Sequence, residues 1–582
     1  MKQSRLLNNI VGGSYEADAR IAGNAVSMNL YPESVEDVGG GMYCASALRS
    51  VEGERQVLDF AAFPGIEVPD PSGQGCRGLF TASDDTLFVA YGTGVLRVRR
   101  NSANGTYSCE VIHTQRTETI GDVMFAETGG VNSWVCWIDG SEFVKAYPLE
   151  PGKVTGESLP AEFRTPIRVY LTADDIMKDK ETHVRPTSIR CMAGSIVIND
   201  PENDTWYFTD AYVLGGSTLT RSVYELDSEG NVQYEGGSSY KVKAKTVDLR
   251  SEDNESMTAY LWLDRYSKPR WKTAEYAADS VTSFARAGDF LFAIGTKSVQ
   301  AYTQTTSTDA QGYTSMEFTS SGRNFRDIGS NAPGTVAEIN GCVSFLGSGA
   351  RGERSVWSTS GGEPVRISTN AIERDLQGAD TSGAYAFGYV GNGHQFYVMT
   401  VPSIRKTFCF DFATKQWHNR STRDGYGRDV EWWARYSADI GGETAIASRG
   451  ESVLAVLDRK KFDNYRGEPI IKRRTAPILL DDYAPFMLND VQLMWNTGTS
   501  TDYDDSRGAR EPVVMMDVST DGGNTFGSER WATGGKVGQY GHRSVWYGIG
   551  MGTLFVLRFT ISDRVNVVIT GAKVSYTRCA HF

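Results

Sequence analysis

The sequence predicts an all-β protein: a β-propeller of six or seven blades with an inserted segment, followed by a C-terminal β-sandwich-like domain. Three observations support this prediction. Glycine accounts for 62 of 582 residues and aromatic residues for 11%, a combination typical of short strands joined by tight turns. Apolar strand–turn–strand units recur along most of the chain. Helical periodicity is weak, and the best short helix is expected at Asn370–Leu376.

The strand–turn–strand units supply the blade prediction. They begin at residues 86, 134, 195, 290, 342, 395 and 443. Most consecutive starts are separated by about 50 residues, a spacing that suits four-stranded blades. The longest gap contains a polar, Gly- and Ser-rich segment, 211–278, which we interpret as an insertion projecting from a blade. A pair of large sandwiches is the alternative that this pattern leaves open.

Changes in composition predict the domain boundaries. Residues 1–45 are predicted to form an N-terminal arm, 46–458 the propeller and 475–582 the sandwich-like domain. Residues 459–474 carry seven Lys or Arg against two acidic residues, which predicts a basic, solvated linker. Contact of this linker with DNA or with an acidic partner is the alternative.

Charge and residue spacing exclude several classes of protein. The net charge of −12 argues against broad nucleic-acid binding, because phosphate contacts need Lys and Arg. The eight cysteines form no CxxC pair and the six histidines no metal-binding pair, so we expect free thiols and no metal site. No nucleophile elbow or Walker A loop is present. We therefore predict no catalytic, cofactor-binding or metal-binding residues, and no cofactor.

The expected compartment follows from two further features. No segment approaches the roughly 20 apolar residues that span a bilayer. The first residues are charged but lack the apolar core of a secretory signal. We therefore expect synthesis and folding in a cytoplasm.

One local motif predicts a hairpin turn. Ser519–Phe526, with the sequence STDGGNTF, resembles the Asp-box of sialidases and other β-proteins. In such a turn the Asp521 carboxylate accepts hydrogen bonds from backbone N–H groups, and glycine supplies unusual φ values. The Asp-box is a structural turn and not a catalytic site, so one copy indicates little about sugar chemistry.

Two other motifs predict loops. Gly347–Gly352 fits the spacing GxGxxG, but a strand-like sequence follows it where a dinucleotide site needs a helix. We interpret it as a hairpin loop. Asp502, Asp504 and Asp505 precede a glycine, but the spacing departs from a calcium loop. A solvated acidic loop is the expectation.

Several stretches occur in an order that indicates a family. They are Asn24–Pro32, Phe63–Gly65, Arg77–Phe80, Ser188–Arg190, Asp204–Asp210, Gly288–Leu291 with Tyr302, Ile328–Thr335, Ile372–Glu373, Val518–Gly522 and Ile569–Gly571. Together they resemble the packaged-DNA stabilisation proteins of short-tailed bacteriophages, also called tail accessory factors, hubs or nozzles. The 211–278 insertion and the longer N-terminus depart from the smaller members of that family.

The resemblance implies a structural virion protein of the phage tail, made in the host cytoplasm, and not an enzyme. It implies a propeller-bearing chain that assembles as a homo-oligomer, typically a hexamer, below the portal and adaptor. The ring would retain packaged DNA and form part of the ejection channel, next to tail needle, spike or fibre proteins. Double-stranded DNA would pass without sequence-specific binding, so we expect few Lys or Arg in the bore.

Two further expectations concern the N-terminal arm and the alternative function. The arm 1–45 is expected to make few internal contacts and to gain order on the adaptor. The functional alternative is a tail glycan-binding protein or depolymerase with a sialidase-like propeller. In that alternative Trp432 and Trp433 would form an exposed platform, whereas the simpler interpretation places them in a core strand.

Overall fold

The computed structural model describes most of the chain. The described residues are 2–7, 10–17, 23–34, 46–63, 75–113, 121–129, 133–140, 143–149, 163–166, 168–169, 182–208, 218–225, 227–229, 233–235, 239–248, 271–274, 279–308, 314–349, 352–498 and 511–579. They confirm the all-β class. Within these ranges, α-helix is limited to α1, Asn370–Leu376, where the Thr369 hydroxyl accepts from the Ile372 amide and starts the predicted helix. None of their helices has the length and apolarity needed to cross a membrane.

The chain divides into two compact units that interleave along the sequence. The sandwich unit comprises Met1–Val57, Ser368–Trp433 and Ala455–Phe582, and the blade unit comprises Leu58–Ile367 and Ala434–Leu454. Short 3-10 helices occur at Phe60–Ala62, Pro333–Thr335 and Pro402–Ile404.

Four-stranded antiparallel meanders follow one another in the blade unit. The first contains β7 (Cys76–Thr81), β8 (Leu87–Tyr91), β9 (Gly94–Arg100) and β10 (Tyr107–His113). The second contains β11 (Met124–Glu127), β12 (Trp134–Ile138), β13 (Phe143–Pro148) and β14 (Phe163–Pro166). The third contains β17 (Ile189–Met192), β18 (Ser195–Asn199), β19 (Thr205–Phe208) and β24 (Trp271–Thr273).

Three more sheets continue the series. The fourth contains β25 (Val281–Ala287), β26 (Phe290–Gly295), β27 (Ser298–Thr308) and β28 (Thr314–Arg326). The fifth contains β29 (Ala337–Ile339), β30 (Cys342–Ser348), β31 (Arg354–Thr359) and β32 (Val365–Arg366). The sixth contains β39 (Tyr436–Ile440), β40 (Glu443–Ala447), β41 (Val453–Asp458) and, as its last strand, β6 (Gly53–Asp59).

The first strands of neighbouring meanders pack side by side, as in propeller blades. Strand β39 contacts β7, and the contacts continue from β7 to β11, β17, β25 and β29. Apolar side chains fill the space between sheets. Trp206 of the third sheet, for example, packs edge-on against Phe284 and Phe318 of the fourth, with ring centroids 5.5 and 5.4 Å away. The propeller prediction is confirmed.

Short two-stranded ribbons complete the blade unit among the described residues. They are β15 (Arg168–Val169) with β16 (Thr182–His183), β20 (Thr218–Tyr224) with β23 (Val242–Asp248), and β21 (Tyr234–Glu235) with β22 (Ser239–Tyr240). Strands β20–β23 lie in the chain between β19 and β24, that is, between the last two strands of the third sheet. The predicted insertion at 211–278 contains these strands and also β24.

Two large sheets form the sandwich unit. One contains β4 (Leu30–Ser34), β5 (Ser46–Ser50), β48 (Val568–Arg578), β43 (Phe486–Trp495) and β46 (Ser544–Gly552), with β1 (Lys2–Leu7) also paired to β48. The other orders β33 (Tyr385–Gly391), β34 (His394–Val401), β35 (Lys406–Asp411), β36 (Gln416–Arg420), β3 (Asn24–Met28), β42 (Lys472–Thr475), β47 (Val556–Ile561), β44 (Val513–Ser519) and β45 (Arg530–Thr533), with β2 (Tyr15–Glu16) on β3. A small ribbon joins β37 (Thr422–Arg423) and β38 (Asp429–Val430).

The N-terminal segment is part of this sandwich. Strand β3 pairs with β42, and β1 pairs with β48. Leu7, Ile10 and Leu30 are buried in the apolar core between the two sheets. The expectation of an arm with few internal contacts is therefore wrong for its described residues, because its alternating apolar residues complete a core supplied mainly by the C-terminal strands.

The predicted linker 459–474 also differs from expectation at its end. Lys472 and Arg474 are buried in β42, which lies between β3 and β47. Basic residues alone predicted solvation, but both side chains are buried together with their charged groups, which donate hydrogen bonds inside the sandwich. The predicted domain boundaries themselves stay a prediction.

Candidate functional site

The Asp-box segment forms the predicted turn after β44. The Asp521 carboxylate accepts from the amides of Asn524 and Thr525, at 2.9 and 3.0 Å, and from the Ser519 hydroxyl at 2.6 Å. These hydrogen bonds hold the pKa of Asp521 well below its usual range, and the bond from the Ser519 hydroxyl has the largest effect. Gly523 has φ +94, a conformation that favours glycine. The motif is therefore a structural turn, as interpreted from the sequence.

The described residues of the GxGxxG segment lie at a hairpin, because Gly347 belongs to β30 and Gly349 and Gly352 lie in the turn towards β31. The two strands pair antiparallel from Val343 opposite Thr359 to Ser348 opposite Arg354. The Gly349 amide donates to the Glu353 carbonyl at 2.8 Å. A strand follows the loop, so the phosphate-cradling helix of a dinucleotide site is not formed there. The aspartates 502, 504 and 505 lie outside the described residues.

One buried carboxylate fixes both tryptophans of the 432–433 pair. The Glu54 carboxylate accepts from the indole N–H of Trp432 at 2.8 Å, from that of Trp433 at 2.7 Å, and from the Tyr465 amide at 3.2 Å. The Arg420 guanidinium lies 3.8 Å from the centre of the Trp432 ring. Trp432 is 3% exposed. Trp432 therefore belongs to the core, and the partly exposed Trp433 is held by the same carboxylate, so the two rings do not form the exposed platform of the glycan-binding alternative.

This buried charge cluster, defined here as Glu52, Glu54, Tyr389, Arg420 and Trp432, carries strong electrostatic constraints. Burial raises the pKa of Glu54, against the opposing effect of the indole donors. Burial also raises the pKa of Tyr389, whose hydroxyl accepts from Arg420 at 3.1 Å. Such a cluster stabilises a single arrangement of the loops that carry it. If any one of its side chains moved away, a buried polar group would lose its partner.

A second charge cluster links sheets of the blade unit. Asp122, just before β11, accepts from the Arg435 guanidinium at 2.8 Å and also from Arg449 and the Tyr436 hydroxyl. Burial alone would raise the pKa of Asp122, but Arg435 and Arg449 hold it below its usual range. Because Arg435 and Tyr436 lie at the start of the sixth sheet and Asp122 at the start of the second, the cluster ties separate blades together.

Strand β42 buries a lysine whose titration can be tested. Burial lowers the pKa of Lys472 from 10.5 to about 7, although Asp563 and Asp463 act in the opposite direction. Between these two values the unfolded state binds more protons than the folded state. The free energy of unfolding should therefore rise with pH across this window.

We predict that Lys472→Met removes this rise. Chemical denaturation of the full chain at pH 7, 8 and 9 should show increasing stability for the wild type and a flatter profile for the variant. Lys573→Met, on β48 and exposed, is the control and should keep the wild-type profile. A rise of the same size in the Lys472 variant would contradict the prediction.

The two edge strands of the sandwich expose large apolar side chains. Strand β45 ends the ten-stranded sheet and β46 ends the six-stranded sheet. Trp531 is 67% exposed, Tyr547 70% and Met551 61%. The Arg530 side chain donates to the β46 carbonyls of Gly548 and Ile549, so part of that edge is already capped. Trp531 and Tyr547, which we call the edge aromatics, and the neighbouring Met551 are of residue types enriched at subunit contacts.

The fold and its clusters define a class: an all-β protein with a propeller and a sandwich, each of which contains its own buried charge cluster and apolar core. Two family models match the sequence in order. The model described as bacteriophage P22 Gp10, beta-propeller, matches residues 262–461, and that described as bacteriophage P22 Gp10, beta-sandwich, matches residues 472–577. The chain belongs to the bacteriophage P22 Gp10 family. It is a structural component of the virion tail.

Other comparisons show more distant likeness. No protein of curated function matches the sequence. A streptogramin B lyase structure has a TM-score of 0.32 at 9% identity, covering 66% of this chain and 94% of the lyase. The structure of BamB from Moraxella catarrhalis has a TM-score of 0.28 at 10% identity, covering 78% of this chain and 98% of BamB. Likeness at this level carries no argument about function.

Proposed function

We propose that copies of this chain form a ring in the phage tail, below the portal and adaptor, which retains packaged DNA and forms part of the ejection channel. The observation that carries the proposal is the match, in order, of the Gp10 beta-propeller model to residues 262–461 and of the Gp10 beta-sandwich model to residues 472–577. A hexamer is the ring size expected from the family resemblance. The proposed role is mechanical, and no step of it requires catalysis.

The physical properties of the chain support this role. The buried charge cluster and the Asp122 cluster each lock neighbouring loops, as a part that resists pressure from packaged DNA requires. A ring multiplies the net charge of −12 carried by each chain. DNA slides past a neutral or acidic wall more readily than past fixed cations, which would retain phosphates. The expectation of few Lys or Arg in the bore remains part of the proposal.

The edge aromatics are the surface that we expect to contact a second copy. A closed ring uses a heterologous contact, in which one edge of each subunit meets a different surface of the next. Exposed Trp, Tyr and Met side chains are typical of the centre of such contacts. Arg530 already occupies the Gly548 carbonyl on the edge of β46, and a strand added by a second copy would need free backbone groups there. We therefore expect the contact to be made by side-chain packing.

The ring is tested with Trp531→Ser combined with Tyr547→Ser. We expect the variant to keep the wild-type melting temperature and to lose ring formation on adaptor-bearing heads, with affinity about 100-fold lower. Mass measurement of the chain, free and on heads, supplies the readout. Tyr426→Ser, at an 87% exposed position of the same unit, is the control and should assemble normally. Normal assembly of the double variant would reject this surface.

A further inference from the structure

A polar cleft of about 500 Å³ opens in the sandwich unit beside the Asp-box turn. Its volume lies within the range of about 300–1,000 Å³ that is typical of small-molecule sites. Its lining includes Glu16, Asn24, Arg374, Asp375, Lys406, Phe526 and Arg558. They come from β2, β3, α1, β35, the Asp-box turn and β47, so distant parts of the sequence meet here.

The charges of the cleft nearly balance. The Lys406 ammonium donates to Asp375 at 2.6 Å and lies 3.6 Å from the Glu16 carboxylate. The Arg558 guanidinium pairs with Asp517 at 2.8 Å. Arg374 also lines the cleft. A charged ligand would have to compete with these pairs, whereas a neutral ligand with hydroxyl groups can bond to their remaining donors and acceptors.

Asn24 provides an acceptor that the described part of the chain leaves unused. Its side chain is 6% exposed, and its amide nitrogen donates to the Gly522 carbonyl at 3.2 Å. Its oxygen is buried and accepts no hydrogen bond from the described residues. A buried acceptor without a donor costs about 1–3 kcal/mol. A ligand hydroxyl that displaces the groups covering this oxygen and donates to it recovers that energy.

We propose that this cleft binds a neutral saccharide unit. Adjacent sugar hydroxyls both donate and accept, which suits the Asn24 oxygen together with the Lys406–Asp375 pair. Phe526 offers apolar surface for the C–H groups of a sugar ring. The Arg558 guanidinium lies 3.9 Å from the centre of the same ring. The proposal goes beyond tail assembly and does not depend on ring formation.

The test uses saturation-transfer NMR on the full chain with methyl α-D-glucoside, methyl α-D-galactoside and methyl α-L-rhamnoside as probes. The cleft variant is Lys406→Met with Asp375→Asn, which removes both members of the 2.6 Å ion pair. Glu16 loses its cation in this variant, but its carboxylate is partly exposed to water. The control is Lys2→Met with Asp490→Asn, an ion pair of the same unit at 2.8 Å. Glu16→Gln, at a partly exposed position, is a second cleft variant.

We expect transfer to at least one glycoside with the wild type and the control, and a signal about tenfold lower with each cleft variant at unchanged melting temperature. Transfer to none of the glycosides would overturn the proposal. So would transfer that persists in both cleft variants. Displacement of the glycoside by inorganic phosphate would also overturn it, since that result would indicate an anion site.

Discussion

Glu54→Gln is expected to lower the free energy of unfolding of the sandwich unit by about 2–4 kcal/mol. The Glu54 carboxylate accepts from Trp432, Trp433 and the Tyr465 amide. A glutamine has a single acceptor oxygen, and its NH₂ group would face an indole N–H. At least one donor therefore loses its partner in a buried site, and Arg420 loses a nearby negative charge.

Urea denaturation monitored by tryptophan fluorescence measures this effect, because two of the 12 tryptophans of the chain are bound to the altered group. Glu33→Gln is the matched control. Its carboxylate pairs with Arg49 at 2.8 Å but is partly exposed, so the expected loss is below about 1 kcal/mol. Equal stability of Glu54→Gln and the wild type would show that the buried charge cluster does not hold these loops.

Arg474→Met is expected to release the N-terminal segment from the sandwich. The buried guanidinium donates to the Ile10 carbonyl at 2.6 Å, to the Ser27 hydroxyl at 2.7 Å and to the Gly13 carbonyl at 3.2 Å. Burial lowers its pKa to about 9, which shows the cost of keeping this cation inside. Methionine supplies no donor in place of the guanidinium, so the segment loses this anchor and its strand pairing opens more often.

Hydrogen exchange gives the direct measure of that release. Amides in residues 2–17 should exchange about 100-fold faster in the variant, whereas those of β43 and β48 should change little. Arg473→Met is the control on the same strand, since Arg473 pairs with Asp429. Unchanged exchange in residues 2–17, or an equal increase in the control, would contradict the anchoring role.

Alternation of apolar residues with turn glycines was sufficient to predict the blades. Six of the strand–turn–strand units predicted from the sequence fall in the four-stranded sheets of the described residues. The unit that begins at residue 395 forms β34 and β35 of the ten-stranded sheet instead. Its local pattern is that of a blade, but β36 pairs with β3, as Asn419 lies opposite Met28. Only long-range pairing distinguishes the two outcomes.

The sites were harder to predict for the same reason. The Asp-box turn is local, so its spacing identified it. The buried charge cluster brings Glu54 to Arg420 and Trp432, which lie far from it in the chain, so no spacing signal connects them. The basic composition of 459–474 predicted a solvated segment, but the alternation of Lys472 and Arg474 across Arg473 indicates a strand face. That alternation was the one available signal for their burial.

DNA retention by virus particles tests the central claim most directly. Heads would be assembled in infected cells that lack this chain, and the packaged DNA that remains in purified particles would be measured by nuclease protection. The account predicts that these heads package DNA and then lose it, and that adding the purified chain before purification restores protection. Full and stable protection without the chain, or no recovery when it is added, would contradict a DNA-retaining ring.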